Sequence, residues 1–248
     1  MIAQDCLLQY KYSQFVDRAD LEVYLSTMKY LFSSIIILLF FASCSPVTEK
    51  PTPSDFPDGP IALLPENPHY FLYKGQPLVL ITSAEHYGAV LNLDFDYLTY
   101  LNTLHNDGMN YTRIFMGSYY EIYGESFGIQ KNTLAPKPGK LITPWEMHLS
   151  ADSAYVFETR QWNEAYFKRL HDFMQEAAKR DIIVEVTLFS SIYRDEHWEI
   201  SPQNQTNWPS SDSAPIDRKD AHTMNNGALL AVQEAYVKKL VQELNAYD

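Results

Sequence analysis

Cysteine is scarce in this chain. Of 248 residues only Cys6 and Cys44 carry thiols. Nothing downstream of Cys44 can form a disulfide framework, so the globular part does not depend on one. Basic charge is also short: 19 Lys and Arg stand against 31 Asp and Glu, a formal net charge of −12. Phosphate binding needs a basic face, so no nucleic-acid partner is expected. A Gly-rich phosphate loop is missing after the first predicted strand, which weighs against a nucleotide-binding fold. No apolar run reaches the roughly 20 residues of a comfortable membrane span. His69, His86, His105, His148, His171, His197 and His222 show no tight ligand spacing, so neither a metal nor another cofactor is expected. What is abundant is aromatic: 14% of the chain, with 18 Tyr and 4 Trp. Such a load has two readings, a large core or a cleft lined with rings.

The first sixty residues read as an address and a tether. "MKYLFSSIIILLFFASC", 28–44, has a basic start at Lys29 and an apolar run from Tyr30 to Phe41. That run has the length of a signal-peptide core. It ends in Phe41-Ala42-Ser43-Cys44, which resembles a bacterial lipobox, with Phe41 where leucine is usual. The resemblance implies that Cys44 is acylated and becomes the first mature residue. The protein would then be held on the bacterial cell envelope by a lipid, at the outer membrane or facing the periplasm. The other reading is a membrane anchor with an incidental cysteine. A signal peptide begins near its basic residue, so Met28 is expected to be the true start and residues 1–27 a mis-assigned extension. Residues 45–66 open with "SPVTEKPTPSDFPDGP", rich in Pro, Ser, Thr and Asp, and read as a solvated linker.

From residue 67 onward strand and helix patterns alternate. "HYFLYKGQPLVLITS", 69–83, reads as two strands about a Lys74-Gly75 turn, with Pro77 limiting how the second can pair. Its end, "LVLITS", is an unbroken apolar run of the kind covered on both faces. "DFDYLTYLNTLHNDG" follows as a helix, with Asp94 as N-cap, apolar Phe95, Leu98, Leu101 and Leu104, and Gly108 closing it. "GMNYTRIF" is a second core strand. Residues 117–160 read as a long irregular segment with Pro136, Pro138 and Pro144. "WNEAYFKRLHDFMQEAAKRD" is an amphipathic helix, "IIVEVTLF" (182–189) a third core strand, 190–225 a polar loop, and "NGALLAVQEAYVKKLVQELNAYD" a third helix. This order predicts an α/β fold with a parallel sheet, either doubly wound or a (β/α)8 barrel. The missing phosphate loop and the position of both long loops after strands favour the barrel, whose βα loops build the active site.

An arginine in the middle of an apolar strand needs a partner, because an unpaired buried guanidinium costs several kcal/mol. Tyr111, Arg113 and Phe115 share one face of their strand. If that face points into a barrel, Arg113 lies near the C-terminal mouth, with Tyr119, Tyr120 and Glu121 on the rim.

These residues resemble part of the superfamily of retaining (β/α)8 glycoside hydrolases that includes the cellulase-like family 5 enzymes. "LHNDGMNYTRIF" is similar to the Leu…Gly-x-Asn-x-x-Arg end of the first helix and second strand in that group. "RDIIVEVTLF" is similar to its third strand, and "NPHYFLYKGQPLVLITSAEHYG" to the N-terminal hairpin and first strand of related bacterial proteins. The resemblance covers about residues 67–248 and implies about three of eight βα units plus an N-terminal hairpin, a partial glycoside-hydrolase-like domain. It gives Arg113 the role of supporting the catalytic nucleophile. The acid/base glutamate of the family follows an Asn at the end of strand four, and the nucleophile ends strand seven. Both would lie beyond Asp248. Residues 44–248 are also fewer than the about 250 that a complete barrel takes. The implied activity is hydrolysis of O-glycosyl bonds in poly- or oligosaccharides by an envelope enzyme. The alternative is a non-catalytic glycan-binding lipoprotein or a decayed remnant.

Retaining hydrolysis needs two carboxyl groups about 5–5.5 Å apart. Glu85, Glu121 and Glu185 are the carboxylates near predicted strands, and none has the Asn-Glu context. Glu185 is expected one strand over from Arg113, as half of a buried, structural ion pair, or else at a solvent-facing position. His86 and Tyr87 fall where a barrel's first loop reaches the site and are candidates for binding a sugar hydroxyl, as are Tyr119 and Glu121. A plain loop histidine is the competing reading of His86. Trp198 and Trp208 are candidate sugar platforms, since flat rings stack on apolar sugar faces; ordinary loop packing is the alternative. Asp-Ser-Ala at 152–154 and 212–214 resembles a short O-glycosylation acceptor. Nothing in the sequence sets an oligomeric state.

Overall fold

The computed structural model describes residues 60–83, 85–124, 129, 132–209 and 214–247. The expected extension 1–27, the signal segment 28–44 with Cys44, the tether as far as 59, and Asp212 and Ser213 lie outside the described residues. Among the described residues no helix is long and apolar enough to cross a membrane.

The first elements among the described residues are three short antiparallel strands, β1 (Ala62–Leu63), β2 (Phe71–Tyr73) and β3 (Gln76–Leu78), in the order β1-β2-β3. Lys74 and Gly75 both take positive φ, 47° and 70°, which is the tight two-residue turn that closes β2 on β3. Two expectations change here. The predicted linker to residue 66 is too long, because Ala62 and Leu63 already pair with Leu72 and Phe71. "LVLITS" is not a strand covered on both faces: β3 ends at Leu78, and Val79 and Ile81 are exposed. That segment is held alongside the next sheet by Asn110. Its Oδ1 accepts from the Ile81 N–H at 2.8 Å, and its Nδ2 donates to the Val79 carbonyl at 2.9 Å.

The parallel sheet is built from β4 (Glu85–His86), β5 (Tyr111–Phe115) and β8 (Ile183–Thr187), in the order β4-β5-β8. Between β5 and β8 lies an antiparallel hairpin, β6 (Trp145–Leu149) with β7 (Tyr155–Trp162). The reading of 117–160 as irregular missed it, although Trp145, Met147 and Leu149 alternate with the polar Glu146 and His148 in the way a half-buried strand does.

Among the described residues four α-helices accompany the strands. In α1 (Tyr97–Asn106) the N-cap is Asp96, not Asp94. Asp96 Oδ1 accepts from the Thr99 N–H at 3.0 Å, whereas Asp94 is drawn to Lys140 at 3.1 Å. The helix ends where Gly108 takes φ 74°. In α2 (Glu164–Ala178) Asn163 caps the N–H groups of Ala165 and Tyr166. The short α3 (Asp195–Glu199) and two 3₁₀ turns interrupt the loop after β8, and α4 (Leu229–Leu244) closes the described chain.

One face of the parallel sheet carries α1, α2 and α4. Ile114 and Met116 there meet Leu101 and Leu104 of α1, Tyr166, Leu170 and Phe173 of α2, and Tyr236 and Leu240 of α4. Side chains buried this completely cost about 2–5 kcal/mol each when cut back to alanine. Arg169 on α2 fastens the loop between β4 and α1: its Nη2 donates to the carbonyls of Ala89, Asn92 and Phe95 at 2.9–3.1 Å. α1, α2 and α4 leave the opposite face of the sheet uncovered, only the short α3 reaching it at Phe115 through Trp198, and among the described residues the three strands form an open sheet, not a closed barrel.

Candidate functional site

Register places three charged residues side by side on the face opposite α1, α2 and α4. Glu85 pairs with Arg113 across β4 and β5, and Arg113 pairs with Glu185 across β5 and β8. Arg113 Nη1 lies 3.0 Å from Glu85 Oε2, and Arg113 Nε lies 2.8 Å from Glu185 Oε1. Tyr87 donates its hydroxyl to Glu85 Oε1 at 3.1 Å, and Tyr111 donates to Glu185 Oε2. The carboxylate of Glu185, foremost, holds the Arg113 guanidinium above its ordinary pKa. Burial, and then the charge of Glu85, push the Tyr87 phenol up to about 12.

This row is not the buried pair that was expected. The Arg113, Glu85 and Glu185 side chains are 42%, 38% and 46% exposed. The reason is topological: no strand among the described residues faces them. All four carboxylate oxygens are partnered, so neither Glu85 nor Glu185 stands as a free acid.

Toward the C-terminal ends of the strands the charged row gives way to rings. Phe115, Tyr119 and Ile192 form a small buried cluster against which Tyr87 and Trp198 pack. The Tyr87 and Phe115 rings are 4.3 Å apart between centroids. Beyond them Glu121 is buried with His197, their side chains 0% and 1% exposed. Tyr119 donates to Glu121 Oε1 at 3.0 Å, His197 Nε2 lies 3.4 Å from Glu121 Oε2, and the Tyr119 and Tyr193 hydroxyl oxygens are 3.1 Å apart. Arg194 Nε donates to His197 Nδ1 at 3.2 Å. That bond makes Nδ1 the acceptor and puts the ring proton on Nε2, facing Glu121. The 3.4 Å approach of Arg194 Nη2 to Nε2 is then a contact between N–H groups. Burial, then the Tyr193 hydrogen bond, raise the Tyr119 pKa, so this phenol keeps its proton.

The structure thus brings Arg113, Tyr87, Tyr119, Glu121 and Trp198 together, with Tyr119 and Glu121 buried beneath the more exposed Arg113, Tyr87 and Trp198. His86 is not part of it. Strand alternation turns it to the helical side, where it is buried and stacks on Phe95 at 3.7 Å. Its Nδ1 accepts from the Gly88 N–H at 3.2 Å and its Nε2 meets Thr133 Oγ1 at 3.1 Å, so no ring nitrogen is left for a sugar. Burial drives its pKa down to about 4, which keeps the ring neutral. Trp208 is tied into its own loop, Nε1 donating to the Pro202 carbonyl at 2.9 Å. Tyr193, Arg194 and His197 went unremarked as site residues in the sequence. The only local signal was the Tyr193–His197 spacing of one helical turn.

A groove of about 580 Å³ runs between the β6–β7 hairpin and the loop near Ile200, lined by Tyr120, Glu121, Tyr123, Leu149 and Tyr155 among others, so that Glu121 borders it as well as the Tyr119–His197 cluster. Neither Arg113 nor either loop tryptophan lines it. Among the described residues no three His, Cys, Asp or Glu side chains converge to hold a metal ion.

No family model matches the chain, and no curated protein matches it. Solved structures do. A glycoside hydrolase family 5 mannosidase from Rhizomucor miehei is 14% identical with a TM-score of 0.41, over 73% of this chain and 41% of that one. A Bacteroides vulgatus protein, described provisionally as a glycoside hydrolase, is 13% identical with a TM-score of 0.41, over 74% of this chain and 36% of that one. A variant of the same mannosidase in complex with mannosyl-fructose is 14% identical, with a TM-score of 0.40. The chain spans about two fifths of the length of these structures. A likeness of this order assigns no residue a role, and functional inference rests on the side-chain geometry.

Proposed function

We propose that the face opposite α1, α2 and α4, at the C-terminal ends of the parallel strands, is the sugar-binding floor of an envelope glycoside hydrolase of (β/α)8 type. The observation that carries this reading is the continuity of two chemistries on one surface. The Glu85–Arg113–Glu185 row runs directly into the rings of Tyr87, Phe115, Tyr119 and Trp198. Sugars present apolar C–H faces rimmed by hydroxyls, and such ligands call for a ring to stack on beside a few fixed polar groups. In this reading Trp198 and Tyr87 provide the stacking surface. Arg113 places positive charge where a catalytic carboxylate is held ionised. Glu85 and Glu185 orient Arg113 and are not themselves the acid and nucleophile. Cys44 carries the lipid that keeps the enzyme on the envelope.

A second reading is a glycan-binding lipoprotein without catalysis, favoured by the full engagement of all four carboxylate oxygens of the row. One experiment addresses both. The full chain is titrated calorimetrically with cellohexaose, mannohexaose and xylohexaose, and new reducing ends are followed in parallel. Saturable binding supports the sugar-binding floor that both readings share, and release of reducing ends, which needs two carboxyl groups other than the engaged Glu85 and Glu185, supports the hydrolase over the second reading. Absence of binding to any of the three contradicts both.

A further inference from the structure

The hydrogen-bond directions around Glu121 lead outward to one exposed group. A phenol has a single proton to give. Tyr119 gives its proton to Glu121 Oε1, so across the 3.1 Å separation its oxygen receives the proton of Tyr193. Glu121 is held in turn by His197, whose tautomer is set by Arg194. The Tyr193 hydroxyl proton therefore points inward, and its oxygen lone pairs are left for solvent. Tyr193 is 52% exposed, its ring lies against Tyr119 and His197, and Tyr119 in turn borders Tyr87 and Phe115. The phenol oxygen of this half-exposed residue thus sits beside the aromatic cluster, as an acceptor whose direction is fixed from below by a buried chain.

We propose that Tyr193 reads one hydroxyl of the bound sugar as a hydrogen-bond acceptor, with Tyr119, Glu121 and His197 as positioning residues that hold its proton inward. The proposal rests on the carbohydrate reading of this surface. It adds a directional requirement: the sugar group opposite Tyr193 must donate. A free hydroxyl satisfies this. A deoxy, fluoro or O-methyl position does not, and neither does a branch point glycosylated there.

The test uses the full chain and whichever of the three hexasaccharides binds wild type most tightly, together with its set of monodeoxy analogues. Y193F keeps the ring and removes the acceptor. The expected loss of affinity is about three- to tenfold, the range of one neutral hydrogen bond. One monodeoxy analogue should weaken wild type by a similar factor and leave Y193F unaffected, a coupling that a purely structural role of Tyr193 would not produce. Y119F, which frees the Tyr193 proton, should reduce discrimination between that analogue and the parent sugar. If wild type binds the sugar and Y193F binds it and every analogue as wild type does, the carbohydrate reading stands and this assignment is overturned. If wild type binds none of the sugars, the carbohydrate reading fails and the assignment falls with it. Circular dichroism of each variant shows whether its fold is intact. Should Y193F not fold, the same deoxy scan on wild type and Y119F decides: equal discrimination by the two overturns the assignment.

Discussion

Arg113 Nε lies 2.8 Å from Glu185 Oε1, on the neighbouring parallel strand and directly opposite in register. The same guanidinium reaches Glu85 on the other side. One cation therefore separates two carboxylates on a half-open sheet. Replacing it leaves two like charges separated by one strand, but solvent screens such groups, and exposed pairs contribute only about 0–1 kcal/mol each. Arg113→Gln should lower stability by about 1 kcal/mol at low salt, and by less at 1 M NaCl, where charges are screened within about 3 Å. Urea unfolding at both salt concentrations checks this. A large loss that is independent of salt would show that Arg113 acts by packing.

His86 gives the fold a pH dependence of known sign. Its folded pKa is about 4, lowered by burial from 6.5. Between those values the unfolded chain binds a proton that the folded chain refuses, so stability rises with pH from about 4 to 6.5 and is lost on acidification through that window. The full effect is on the order of 3 kcal/mol. Thermal unfolding should show the slope in wild type and a much flatter one in H86N.

Gly117, just past β5, takes φ 104°. A Cβ there would come within 2.4 Å of Pro144 Cδ. Gly117→Ala should therefore cost about 2–4 kcal/mol, from backbone strain plus overpacking. It should also disturb the Phe115–Tyr119 cluster. Chemical denaturation measures the first effect. A variant as stable as wild type would contradict the geometry of this turn.

Cys44 is proposed to carry lipid. Cys44→Ser should abolish incorporation of a radiolabelled fatty acid in a bacterial host and move the protein from the membrane fraction. Undiminished label on the variant would remove the lipid anchor from the account.

Much of the scaffold was legible because its signals are local. Asn163, Leu170 and Phe173 announce α2 by cap and period. Ile114 and Val186 sit in short apolar runs that become β5 and β8. The hairpin β6–β7 was missed because three prolines and a polar lead-in outweighed the alternation from Trp145 to Leu149. Asp94 and Asp96 are equivalent caps in sequence, and only the pull of Lys140 on Asp94 separates them. The site was legible in part: Arg113, Tyr119 and Glu121 stand out as polar groups after an apolar strand. His197 and Tyr193 were hidden because their partners Glu121 and Tyr119 are more than seventy residues away. His86 misled because a histidine beside an exposed glutamate gives no sign, in sequence, of which face it takes.

The claim that matters most is that the surface formed by Arg113, Tyr87, Tyr119 and Trp198 binds carbohydrate. The indole N–H resonances of the four tryptophans, with that of Trp198 assigned through W198F, can be followed while the full chain is titrated with a binding hexasaccharide. The account predicts a saturable shift of Trp198 and none of Trp145, which is 1% exposed in the core. Saturable binding with Trp198 unmoved would place the sugar elsewhere and contradict it.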